Sequence, residues 1–170
     1  MSSRISRSDV GAWVLVGNPA VWQYFDARDD EGLRPGDTTL NNWSVASNYR
    51  TDLIERGDLV VLWIGGRVRA GIHEIGIVDE DVSSVEDTIE ATHLGDEAKR
   101  KKYYRFVQFR SLILAQPLSV ADLRSDPRLA GCEHFRAPQV ASPSYLTPSE
   151  VDALRTHLTR AELRRAGWPS

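Results

Sequence analysis

The chain has 170 residues, a net charge of −3, and 41% hydrophobic against 26% charged residues. This is a globular composition, long enough for one buried core, and it excludes wholesale disorder and the strongly basic surface of bulk nucleic-acid binders. Cys132 is the single cysteine, which excludes an internal disulfide and a cysteine-based zinc site, and His73, His93, His134 and His157 lack helical ligand spacing, so no metal and no cofactor is expected.

The elements follow in chain order. Residues 1–10 are expected to be a flexible N-terminus without the apolar stretch of a signal peptide, and the chain is read as cytoplasmic, with no membrane partner. One domain is expected over 11–160. Ala12-Trp13-Val14-Leu15-Val16 reads as a strand closed by Gly17. Asn18 and Pro19 have the cap and first-turn chemistry of a helix over about 19–28, with Val21 and Phe25 on one face. A polar loop over 29–37 leads to an extended segment, 38–45, and a short helix within 47–54. Leu59 to Ile64 is apolar on both faces and is expected to be covered on both sides. Gly65-Gly66 turns the chain into a hairpin partner, 70–78, where Gly71 and Gly76 suggest close approach by another group.

Asp79 to Glu97 carries eight acidic side chains. It is read as a mobile acidic insertion (80–100), partly helical over 85–90. Lys99, Arg100, Lys101 and Lys102 follow at once, with Arg105 close behind. A strand from 103 to 115 is expected to stop at Pro117, and a helical turn to follow over 120–123. The segment 124–144 reads as loop. Thr147, Pro148 and Glu150 form a helix start with a capping box, and Val151, Leu154 and Leu158 make its buried stripe. Residues 161–170 are read as a tail. One hairpin and no regular alternation of strand and helix exclude a doubly wound parallel fold.

Catalytic signatures are lacking: Gly65-Gly66 has no P-loop lysine, there is no Gly-x-Ser-x-Gly elbow, and His73 and Glu74 fall on opposite faces of a regular strand. The tryptophans at 13, 22, 43, 63 and 168 carry more information. Trp13 and Trp63 sit in apolar strands as core residues, and Trp168 has the place of a packing cap. Trp22 lies off the expected helix stripe, and Trp43 sits among Asn41, Asn42 and Ser44. Such rings, placed beside a cleft, offer faces on which a base can stack.

Trp13-Val14-Leu15 with Asn18-Pro19, Trp43 with Asn48-Tyr49, Gly57-Asp58-Leu59-Val60-Val61-Leu62-Trp63, Gly71-Ile72 and Ile75-Gly76, and Pro138-Gln139 before Leu146-Thr147-Pro148-Ser149-Glu150 together resemble the EVE domain, from about 13 to 158. The resemblance implies an α+β, PUA-like fold: a small mixed β-barrel of about five to six strands with peripheral helices, related to YTH domains. It implies a nucleic-acid-binding module that recognises a modified nucleobase in an aromatic pocket by base flipping. Trp43 would stack on the base and Ser44 bond its edge. Asn18 and Trp22 would lie on the rim, and Asn48 would buttress the Trp43 loop or contact the base; Trp63 completes the base-binding set. Lys99, Arg100, Lys101, Lys102 and Arg105 are the candidate phosphate contacts. The expected partners are DNA or RNA carrying a modified base, beside a nuclease or modification-system protein. Gly17-Asn18-Pro19 stands where many family members have Ser-Glu-Pro, an amide in place of a carboxylate. The alternatives are a hydrolytic enzyme on a PUA-like scaffold, with His73 and Glu74 as its first suspects, and a protein-interaction module.

Overall fold

A computed structural model describes residues 4–82, 89–90, 103–138 and 143–169. Seven strands form one mixed sheet: β1 (Ala12–Gly17), β2 (Thr38–Ala46), β3 (Leu59–Ile64), β4 (Gly71–Val78), β5 (Ile89–Glu90), β6 (Tyr103–Ser119) and β7 (Ser144–Leu146). Their order is β2-β6-β4-β3-β1-β7, with β5 on β6. Among the described strands only β1 and β3 pair in parallel, Ala12 with Leu59 through Gly17 with Ile64. β6 pairs with β2 along its first half and with β4 along its second. This sharing curls the sheet into a partial barrel.

Alternation along β3 divides the core. Val61 and Trp63 face one layer with Ala12 and Val14, under Leu123, Leu154, Leu163 and Trp168. Val60, Leu62 and Ile64 face the other, with Trp13, Leu15, Val45, Val107 and Phe109, closed by Tyr24 and Ile54. The expectation that β3 is covered on both sides therefore holds. The helices are α1 (Tyr24–Asp30), α2 (Val120–Ser125), α3 (Glu133–Arg136), α4 (Pro148–Arg155) and α5 (Arg160–Ala166). None of the described helices is long and apolar enough to cross a membrane.

At Gly76 β4 lies close against β6: a Cβ there would overlap the Arg110 carbonyl. The Gly76 carbonyl accepts the Trp168 indole N–H at 2.7 Å. Absence of a side chain thus lets two backbones and a buried tryptophan meet at one point.

Several sequence expectations are corrected. α1 begins at Tyr24, because residues 18–21 form a turn: Asn18 Oδ1 accepts the Ala20 N–H at 3.0 Å, and the Asn18 carbonyl accepts those of Val21 and Trp22. Val21 is consequently exposed instead of sharing a face with Phe25. The segment 47–54 holds only a 3₁₀ turn, Thr51–Leu53. Ile89–Glu90 pairs with β6 as strand, where a partly helical segment was expected; 83–88 lies outside the described residues. Pro117 does not stop β6. The register with β4 jumps from Ile72–Leu118 to Glu74–Ile113, so Pro117 sits in an irregular stretch where no ladder donor is required of it. The short helix α3 lies within the expected loop. Residues read as a tail contain α5, with a Thr159–Glu162 capping box, a left-handed Gly167 at its end and Trp168 in the core.

Candidate functional site

On the α1 side of the sheet, a run of aromatic rings leads from the edge of β1 to β4. Trp43 and Trp22 are both half-buried and meet edge to face, with centroids 5.1 Å apart and planes at 80°. Trp22 continues to Tyr24 at 5.7 Å, and Tyr24 to Phe25 at 5.1 Å. β2 delivers Trp43 by alternation: Asn41, Trp43 and Val45 share its inner face. Gly17 makes room for the indole, since a Cβ there would lie 3.4 Å from its Cη2 and 2.9 Å from Ile64 Cδ1.

Beneath these rings lies a buried polar network. The Glu74 side chain is fully enclosed. Its Oε2 accepts the Tyr24 hydroxyl at 2.6 Å and Arg28 Nε at 3.0 Å. Its Oε1 accepts Ser111 Oγ–H at 2.6 Å and Asn41 Nδ2–H at 3.4 Å. Asn41 Oδ1 accepts Arg28 Nη2–H at 2.6 Å, and Asn41 Nδ2 donates to Ser111 Oγ at 2.8 Å. The Arg28 guanidinium carbon lies 5.8 Å from the Trp22 ring centre and 5.3 Å from that of Tyr24, so the network also fixes a cation beside the aromatic rings. Burial beside Glu74 pushes the Tyr24 phenol far above its ordinary range. Burial opposes the charge on Arg28, but Glu74 overrides it and raises the guanidinium above its usual value. With its oxygens occupied in this way, Glu74 serves as the counter-ion of Arg28 and the anchor of Tyr24.

An irregularity in β4 corrects the view that His73 and Glu74 oppose each other. The β3 register skips His73, pairing Leu62 with Glu74 and Trp63 with Ile72. Ile72 and Ile75 consequently share one core face, and His73 and Glu74 both reach Tyr24 from the other. His73 Nε2–H donates to the Arg69 carbonyl at 2.6 Å, while its ring packs against Phe25 at 5.1 Å. Burial lowers the His73 pKa, which favours the neutral ring.

Of the residues singled out in the sequence, Trp22 and Trp43 come together. Asn18 is exposed and holds the turn that presents Trp22. Asn48 Oδ1 accepts the N–H groups of Arg50 at 2.9 Å and Thr51 at 3.3 Å, buttressing the chain just after β2. Ser44 lies on the face of β2 opposite Trp43, so the two side chains do not converge. Trp63 belongs to the other core layer: it is 2% exposed and packs at an angle against the rings of His134, centroids 4.4 Å apart, and Phe135, 5.2 Å apart. Arg105 is buried and ion-paired with Asp52. Lys99, Arg100, Lys101 and Lys102 lie outside the described residues.

Tyr24, Arg28, Asn41 and Ser111 were missed. Signals for them existed. Tyr24 and Arg28 stand four apart on one helix, and Glu74 and Ser111 are polar positions within strands rich in apolar residues.

No family model and no curated protein matches the chain. Solved structures do. A hypothetical protein from Leishmania major superposes with a TM-score of 0.62 at 16% identity, covering 88% of this chain and 94% of that one. A protein from Pseudomonas syringae gives 0.59 at 15% identity, covering 86% and 98%. Human THYN1, solved in complex with DNA containing 5-methylcytosine, gives 0.56 at 14% identity, covering 86% and 96%. The DUF55 domain of human thymocyte nuclear protein 1 gives 0.56 at 17% identity. With its curled mixed sheet and flanking helices, the chain shares the PUA-like, mixed α+β fold of these proteins.

Proposed function

We propose that this protein is a reader of modified bases in nucleic acid, receiving a turned-out nucleotide at Trp22 and Trp43. The observation that carries the reading is the perpendicular indole pair. Two tryptophans half-exposed at right angles offer one face for stacking and one edge to close around a substituent. A base stacked on one indole gains about 1–3 kcal/mol, comparable with the few kcal/mol needed to unstack and unpair it. Arg28 beside Trp22 strengthens the charge character of the site. The 5-methylcytosine DNA bound by THYN1, a protein of the same fold, supports a methylated base and favours DNA over RNA as the polymer. A nuclease or modification-system protein is a fitting companion for such a reader.

The test is a tryptophan-emission titration with short oligonucleotides that differ in one base, 5-methylcytosine against cytosine. The expected result is quenching by the modified strand at concentrations where the plain strand has no effect. Identical curves for both strands would refute recognition of the modification.

A further inference from the structure

The turn joining β3 to β4, residues 65–70, is built onto the rim of the aromatic pair. Its Gly65 N–H donates to the Gly17 carbonyl at 2.9 Å, and Gly17 is the residue over which the Trp43 indole lies. At its other end, the Arg69 guanidinium sits 3.6 Å from the centre of the Phe25 ring. The Arg69 carbonyl is held by His73 from inside the fold. Arg69 is the one non-glycine residue with positive φ among the described residues, at 51°. A bulky side chain in that region needs outside support, and here the support is the Phe25 face and the buried histidine. The tip between these anchors stands in solvent: Arg67, Val68 and Arg69 are all exposed.

Among the described residues, the two guanidiniums lack the close ion pairs that hold several of the other arginines. Arg7, Arg28, Arg50, Arg105 and Arg128 are all ion-paired. Among the described residues, neither Arg67 nor Arg69 has a carboxylate partner. A pair of planar cations on one turn suits two neighbouring phosphodiester groups, each singly charged and rich in acceptor oxygens, that arrive with whatever occupies the aromatic site. A nucleotide entering base-first brings such anions, since its own phosphates must pass the rim.

We propose that Arg67 and Arg69 clamp the phosphates flanking the nucleotide whose base is received at Trp22 and Trp43. The inference rests on the base-reading function above and adds the strand-holding element that the sequence reading sought in Lys99–Lys102 and Arg105. It requires that these arginines act on every strand alike, because phosphate contacts position the polymer and do not read its sequence.

The experiment compares the wild-type chain with Arg67→Gln, Arg69→Gln and the double variant. Each is titrated with a duplex carrying one 5-methylcytosine, with the unmodified duplex, and with free 5-methyl-2′-deoxycytidine, at several salt concentrations. The double variant is expected to bind both duplexes at least about tenfold more weakly. Its plot of log K against log salt should be shallower by about 1–2, one phosphate contact being worth about 0.9. Nucleoside affinity and the ratio between the two duplexes should stay unchanged. Arg67→Gln carries the decision if Arg69→Gln also disturbs nucleoside binding, because among the described residues Arg67 supports no ring and no carbonyl. Wild-type duplex affinity and salt slope in the variants, with nucleoside binding intact, would overturn the clamp and leave the reader standing. Failure of the wild-type chain to bind either the nucleoside or the duplexes would overturn both.

Discussion

Replacing Glu74 by alanine removes the one acceptor shared by Tyr24, Arg28, Asn41 and Ser111, all of them buried. Arg28 would keep its charge with only Asn41 Oδ1 and the half-exposed Glu31 as partners. Leaving one member of a buried ion pair uncompensated costs about 3–5 kcal/mol. Each stranded buried hydroxyl adds about 1–3 kcal/mol, although costs within one network do not sum. We expect Glu74→Ala to lose about 4 kcal/mol or more, a large share of the roughly 5–15 kcal/mol that holds a domain together. Urea denaturation followed by tryptophan emission measures it. The pair replacement Glu74→Leu with Arg28→Met removes both charges and should recover at least about half of the loss, since a buried ion pair is often replaceable by apolar residues. A loss below about 1 kcal/mol in Glu74→Ala, within the net worth of one ordinary hydrogen bond, would refute the reasoning that this carboxylate organises the site.

Two further predictions follow from packing and burial. Gly76→Ala drives a methyl into the Arg110 carbonyl, and rigid backbone leaves it nowhere to go. It should cost about 3 kcal/mol, near the upper end for overpacking, and lower Tm by roughly 6–12 °C by calorimetry; an unchanged Tm would mean that the two strands are not this close. Burial holds His73 and His134 below the ordinary histidine value of 6.5, so the unfolded chain takes up protons before the folded one does. Their stabilising contribution is full above that value and is lost as pH falls from it towards the folded pKa. At one pH unit below, each histidine can cost up to about 1.4 kcal/mol. The urea midpoint should fall between about pH 7.5 and about pH 5.5, and His73→Gln should shrink that fall; equal falls in both proteins would exclude a buried neutral His73. Asp58 and Glu133 sit below the usual carboxylate range through their arginine partners, against the effect of burial. Their contribution is lost only at more acid pH, outside this window.

The parts of the fold that were legible in the sequence are those decided locally. The apolar runs of β1 and β3, the hairpin from Gly65-Gly66, and the capping box at Thr147 to Glu150 need only near neighbours, and each appears where the pattern places it. α1 was misplaced because Asn18 and Pro19 suit a turn as well as a helix start, and the Asn18 side chain here closes a turn. α5 escaped although Thr159 and Glu162 carry the same capping signature as α4; it lies close to the chain end and its apolar face is short. Trp22 and Trp43 were singled out because a large ring in a polar stretch is unusual, and the fold brings the two together. Trp63 was grouped with them by chemistry alone, and alternation along β3 sends it to the opposite layer. The network around Glu74 was unreadable as a unit, because its members come from α1, β2, β4 and β6 and meet only after a one-residue irregularity at His73 turns Glu74 inward.

The most direct test of the central claim is the selectivity of Trp43→Ala. Affinities of the wild-type chain and the variant are measured by calorimetry for two duplexes that differ only in one 5-methyl group. The wild-type chain should prefer the methylated duplex. The variant, losing a stacking face worth about 1–3 kcal/mol, should bind it about 5- to 150-fold more weakly and lose most of the preference, while its weak affinity for the unmodified duplex hardly changes. A variant that keeps the full preference, or one that loses affinity for both duplexes by the same factor, would contradict a base received at Trp22 and Trp43.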